Sequence, residues 1–212
     1  MDIVRTHCNT CFSDTKHTVL YEKSFKGEEC EGGGFDVDSY QLVECNGCET
    51  IGLLFSHYSG SVAEANYTLQ YPPKIIKKEP KWLYDLMVRD MLMNPYKSDF
   101  IREIYIAIRN NTPRLAVIGI RALLEQIMIE NVGDNKTFKN NLDKFEEEGF
   151  ISKVQRMAVE PLVEAGHAST HRGFKAKIEE IIYLLDVIEN LVESIYINKE
   201  IISKIKVPPR ST

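Results

Sequence analysis

Two short cysteine pairs constrain this chain more than any other feature. Cys8-x-x-Cys11 and Cys45-x-x-Cys48 are separated by 33 residues, positions 12 to 44. A C-x-x-C turn aims two thiolates at one point, and two such turns complete a tetrahedral set around Zn²⁺. The pattern therefore predicts a zinc ribbon, with one structural Zn²⁺ on Cys8, Cys11, Cys45 and Cys48. Four thiolates leave no open position for a catalytic water. Redox cysteines fit less well, because no C-x-x-C stands beside a βαβ pattern. Cys30 reads as a free bystander in a loop. His7 and His17 could substitute as ligands, but four cysteines make that unnecessary.

The residues between and after the knuckles read as strands. Thr18–Phe25 and Ser39–Cys45 are rich in valine, leucine and aromatic residues, and "GEECEGGGFD" between them suits a turn. "TIGLLFSHY", after Cys48, is a third candidate. Residues 1–60 are expected to form the ribbon, 61–79 a linker, and 80–212 a helical bundle. The fold class is α+β, a small β zinc ribbon followed by α-helices.

Punctuation in the second region marks helices. Pro80 could open one at its first position, with Trp82, Leu83, Leu86 and Met87 on one side. Ser98 could cap "DFIREIYIAIRN". Thr112-Pro113 would open the next helix and Gly133 close it. Thr137 could cap "FKNNLDKFEEEG", ended by Gly149, and Ser152 could start a helix that Pro161 bends or restarts. The last helix is expected over roughly Lys175 to Lys204. Ile178, Ile181, Ile182, Leu185, Ile188, Val192 and Ile195 form one apolar stripe along it. That stripe, with the nearly all-apolar helix from Leu115 to Ile129, suggests a homodimer through the helical region.

Charge excludes some partners. The chain carries a net charge of -5, with pI about 5.6. Residues 1–60 hold four basic against ten acidic residues, a net of -6. A surface of that sign repels phosphate, so the ribbon is expected to brace the helices or to meet a protein partner. The basic group Lys74, Lys77, Lys78 and Lys81 reads as a solvated linker, with RNA contact as the alternative. The start, "MDIVRTHCNTC", lacks the apolar run of a secretory signal, and no stretch is long and apolar enough to span a membrane. A cytoplasmic protein with no membrane partner is the expectation.

Two polar features interrupt the helical region. Arg121 and Glu125 are the only charges on "LAVIGIRALLEQIMI", at i and i+4, with base before acid, the weaker order. They hold each other and a neighbouring helix, or they line a site. "GHASTHRGF" carries His167 and His171, four residues apart, beside Arg172. No glutamate follows His167 and no third ligand is evident, so metal binding reads poorly here. His171 could work as a general acid or base, or hydrogen-bond between helices to Arg121 and Glu125.

"AVIGIRALLEQIM", a short helix ending "FEEEGFIS", then "PLVEAGHASTH" and a long closing helix resemble the bacterial domain of unknown function 4145 family. The resemblance covers roughly Arg102 to Tyr196, with a C-x-x-C ribbon as a common N-terminal partner. It implies an HEPN-like helical bundle, of a kind that often dimerises, often cuts RNA, and recurs beside restriction and phage-defence genes. It assigns Arg121 and Glu125 to the family's arginine–glutamate helix and His171 to its late histidine. HEPN ribonucleases carry an arginine four to six residues and a step before that histidine, and Gly166, Ala165 and Glu164 stand at those positions. None is basic. The expected function is a non-catalytic interaction module of a defence or nucleic-acid-processing system. The competing expectation is a metal-independent ribonuclease using Arg121, Glu125 and His171.

Overall fold

Alternating strand residues in the first third and three- to four-residue apolar steps thereafter give two separate units, Met1–Ile76 and Lys77–Thr212. The computed structural model describes residues 2–29, 34–90, 96–161 and 176–198.

The first unit is one antiparallel meander, β1 (Ile3–Cys8), β2 (Ser13–Glu29), β3 (Phe35–Cys45), β4 (Ile51–Tyr58) and β5 (Tyr67–Tyr71), in that spatial order. The three expected strands lie within β2, β3 and β4. β1 and β5 are additions, and β5 falls in the segment expected to be a linker. Its "YTLQY" has a period of two, and Leu69 and Tyr71 pair across to Phe55 and Leu53. Side chains bridge the two edge strands. Thr6 Oγ1 donates to Gln70 Oε1 at 3.0 Å, and Gln70 Nε2 donates to the His7 carbonyl at 2.8 Å. The edges are thereby blunted.

Strand register sorts the side chains onto two unlike faces. One face carries Ile3, Thr18, Glu44 and Ile51 in a first rank. Tyr21, Leu42, Leu53 and Tyr71 follow, then Lys23, Tyr40, Phe55 and Leu69, then Phe25, Asp38, His57 and Tyr67. The other face holds His17, Val43, Cys45 and Leu54, all buried, and a polar ladder that includes Ser24 to Ser39 at 2.8 Å. Among the described residues of this unit, the buried apolar side chains are Cys8, Val43, Cys45 and Leu54. Two of the four are cysteines. That is a small core for five strands.

The second unit is helical: α1 (Trp82–Asp90), α2 (Tyr96–Arg109), α3 (Pro113–Val132), α4 (Phe138–Glu147), α5 (described over residues 153–161) and α6 (Ile178–Val192). A π-helical turn, Glu193–Asn198, continues α6. α3 forms the centre of the helical core. Ala116, Val117, Ile120, Leu123, Leu124, Ile127 and Met128 are fully buried, and the larger of them contribute roughly 1.5–3 kcal/mol each. Pro113 stands at its first turn and Gly133, at φ 76°, ends it. Thr112 precedes it, but its hydroxyl donates to the Ala107 carbonyl at 2.8 Å instead of capping. Thr137 does cap α4, accepting from Asn140 N–H at 3.1 Å. Ser152 and Gln155 form a reciprocal capping box at the start of α5.

Two expected starts differ. Pro80 sits two residues before α1, its carbonyl accepting from Leu83 N–H at 3.0 Å. Ser98 is buried inside the first turns of α2 and is not its N-cap. The apolar stripe of the last helix is consumed within the bundle, since Ile181, Leu185, Ile188 and Val192 are at most 1% exposed. Among the described residues, no helix is long and apolar enough to cross a membrane.

α2 and α3 cross closely at Gly119. A β-carbon there would meet Ile104 Cγ1 at 2.9 Å. Gly119→Val is expected to push the helices apart and to cost about 1–3 kcal/mol, measured by urea denaturation. Unchanged stability would show that the crossing has slack.

Candidate metal centre

The four cysteines converge because each knuckle continues a strand end. Cys8 closes β1 and Cys45 closes β3, while Cys11 and Cys48 lie in the turns that follow. The turns are reversed by residues with positive φ, Phe12 at 54° and Glu49 at 61°. Gly47, inside the second turn, is not at positive φ. Its N–H points at Cys45 Sγ at 3.5 Å, as Cys11 N–H points at Cys8 Sγ at 3.4 Å. The Cys45 N–H and the Thr50 carbonyl, 3.0 Å apart, close the second knuckle.

The four Sγ atoms lie within 4.8 Å of one another. Cys8 and Cys48 sulfurs are 3.4 Å apart, and Cys11 and Cys45 sulfurs 3.8 Å. These spacings exclude disulfides, whose sulfurs sit about 2.05 Å apart, and all four thiols are free. A tetrahedral ion with 2.3 Å metal–sulfur bonds requires sulfur–sulfur edges of about 3.8 Å. The cluster matches that size and could hold a metal ion.

Neighbouring groups prepare the sulfurs for a cation. The Thr15 hydroxyl, 3.3 Å from Cys45 Sγ, is the first cause that lowers the Cys45 thiol to about 6, aided by the Gly47 and Cys48 N–H groups. Thr50 Oγ1, 3.1 Å from Cys48 Sγ, lowers that thiol too. Cys11 is pushed up to about 12, first by its hydrogen bond to Cys48. The hydroxyls of Thr15 and Thr50 and the turn N–H groups therefore favour the thiolate form of Cys45 and Cys48, the form that binds a metal ion. Among the described residues this is the one cluster with metal-ligand geometry, and neither His7 nor His17 belongs to it. His7 Nδ1 is 3.1 Å from Asp14 Oδ1, and His17 Nδ1 is 3.1 Å from the Thr15 carbonyl.

Arg121 and Glu125 are half-buried on α3, and among the described residues no ion pair joins them. The Arg121 guanidinium instead lies 5.1 Å from the Phe138 ring, and its buried Nε has no hydrogen-bond partner among the described residues. His167, His171 and Arg172 lie outside the described residues.

A second polar cluster escaped the sequence reading. Lys77 Nζ donates to Asp186 Oδ1 at 2.7 Å and to Glu189 Oε2 at 2.9 Å. The Tyr105 hydroxyl donates to Glu189 Oε1. Glu189 is 8% exposed and Tyr105 1%. Burial pushes the Glu189 carboxyl above its ordinary value, although Tyr105 and Lys77 work against it. Burial likewise opposes the Lys77 ammonium, but the two carboxylates prevail and its pKa is raised. Arg109 adds a bond to Glu79 at 2.6 Å. Chain segment 77–79 is thus fastened to α2 and α6, and Lys77 is not a solvated linker lysine. The available signal was Asp186 and Glu189, three residues apart on one face of an apolar helix.

Residues 102–207 match the family model described as Domain of unknown function (DUF4145). Comparison with curated proteins and with solved structures gave no match. The matched segment takes in α3 with Arg121 and Glu125, and α6 with Asp186 and Glu189, and it makes up half of the chain. The chain belongs to the DUF4145 family.

Proposed function

We propose that this protein is a zinc-stabilised, non-catalytic interaction module, in which a ribbon-like sheet is braced by one Zn²⁺ and joined to an HEPN-like bundle. It works as a homodimer in a bacterial defence or nucleic-acid-processing assembly. The observation that carries the reading is the closed donor set. Four sulfurs fill a tetrahedron and leave no position for substrate or water. Zinc is the metal such a set favours, because tetrahedral all-thiolate sites select it over harder cations. The positions where an HEPN ribonuclease would place its arginine are Gly166, Ala165 and Glu164, which favours binding over cleavage. The zinc would supply folding energy and no chemistry on a substrate.

One observation favours the second reading, a metal-independent ribonuclease using His171 with Arg121 and Glu125. The buried Arg121 Nε lacks a partner among the described residues, as a group reserved for a phosphate would. Incubation of the full chain with single-stranded and hairpin RNA separates the two. The module reading expects no cleavage above that of the His171→Ala variant. Cleavage that His171→Ala and Arg121→Ala both abolish, with unchanged thermal stability, would replace it with the enzyme.

A further inference from the structure

We propose that the aromatic face of the sheet is where the second copy of this chain binds, packed face to face about a two-fold axis. This rests on the homodimer reading above and moves its surface from the helices to the sheet. The helical stripe expected to supply that surface is already buried within one chain, at most 1% exposed at Ile181, Leu185, Ile188 and Val192. The sheet's surplus is not. Tyr21 is 62% exposed, Phe25 55%, Tyr67 50% and Tyr71 47%. The rings form a continuous ladder across four strands, with centroids 6.0 Å apart from Phe25 to Tyr40, 4.9 Å from Tyr40 to Phe55 and 5.8 Å from Phe55 to Tyr67. At about half exposure, the exposed large apolar side chains of this face offer on the order of 900 Å². A stable interface needs about 800 Å² from each partner, and lone monomers seldom leave such a patch open.

Charge selects the occupant. A nucleic acid would have to stack on these rings beside Asp38 and Glu44, in a unit whose first 60 residues carry -6. A second copy meets a complementary pattern. Arg5 and Lys16, paired across β1 and β2, lie at one end of the face, and Asp38 lies on the fourth rank at the other. A two-fold axis running across the strands reverses strand direction between copies and brings the end of the face with Arg5 and Lys16 toward the other copy's end with Asp38, whose carboxylate is 2.7 Å from His57 Nδ1 of its own chain. The sheet's small core gives it reason to dimerise, since a covered face would double its layers.

Sedimentation velocity of the zinc-loaded full chain at micromolar concentration tests this. The wild type is expected to be a dimer. Tyr21→Glu with Tyr71→Glu is expected to weaken it about 100-fold while zinc content and thermal unfolding hold, because both side chains are exposed in the monomer. Leu115→Glu on the exposed side of α3 should leave the dimer intact. Arg5→Glu with Lys16→Glu should weaken self-association, and mixing that variant with Asp38→Lys should restore a heterodimer. A dimer that survives the sheet changes and fails with Leu115→Glu overturns this inference and leaves the homodimer reading standing. A monomeric wild type overturns both. A monomer that binds a single-stranded oligonucleotide, with that binding lost in Tyr21→Glu with Tyr71→Glu, gives the face to nucleic acid instead.

Discussion

Cys8→Ser is expected to unfold the first unit while leaving most of the helical signal in place. Serine offers oxygen where the site requires a thiolate, and three sulfurs do not complete the tetrahedron. The loss should be large because the sheet has little else to hold it. Among its described residues, Val43 and Leu54 are the buried aliphatic side chains, and the others in the core are two of the cysteines themselves. Two such residues supply about 3–6 kcal/mol, well short of the entropy cost of ordering some 70 residues. Structural zinc contributes about 10–16 kcal/mol of apparent binding energy in zinc-finger peptides. Far-UV circular dichroism would keep its helical minima while strand-region amides lose hydrogen-exchange protection. A fully protected sheet in Cys8→Ser would show that packing alone suffices.

The second large effect is expected at Lys77. Lys77→Met removes the only cation bonded to Glu189 among the described residues and leaves that carboxylate beside Asp186. Breaking a fully buried pair costs about 3–5 kcal/mol. Asp186 is half exposed, so about 2–3 kcal/mol is the expected loss, a fall of roughly 5–10 °C in Tm. The double variant Lys77→Met, Glu189→Gln should recover part of it, because the stranded charge is gone and the neutral amide can still accept from Tyr105. The pH dependence has a definite sign. Glu189 is raised in the folded state, so its burial favours folding below its unfolded value and loses that contribution as pH rises through the folded value. Glu189→Gln should flatten stability over that window. Additive single and double variants would dissolve the cluster as a unit.

The sequence announces features whose chemistry is local. Paired C-x-x-C turns determine where four sulfurs meet. Thr112-Pro113, Gly133, Thr137 and Gly149 mark helix ends because each has a conformational preference that needs no distant partner. What stays hidden depends on contacts far along the chain. β5 is five residues followed directly by two prolines and becomes a strand only by pairing with β4. β1 has Ile3 exposed and Val4 half-buried, so its alternation is faint. Lys77 looks like any linker lysine until helix α6, more than a hundred residues away, presents Asp186 and Glu189. The apolar stripe of α6 was visible, but whether one bundle could bury it was not, because that depends on how much of α3 it meets. The Arg121–Glu125 pair shows the opposite failure. A spacing of four suggests contact, yet the guanidinium turns to Phe138.

Zinc bound per chain is the most direct measure of the central claim, that a closed four-sulfur site holds the first unit together. Elemental analysis of the purified full chain, paired with X-ray absorption at the zinc edge, is predicted to give about one zinc per chain in an all-sulfur shell near 2.3 Å, lost together with sheet protection on chelation. A folded sheet without metal, or zinc bound through nitrogen or oxygen ligands, would contradict it.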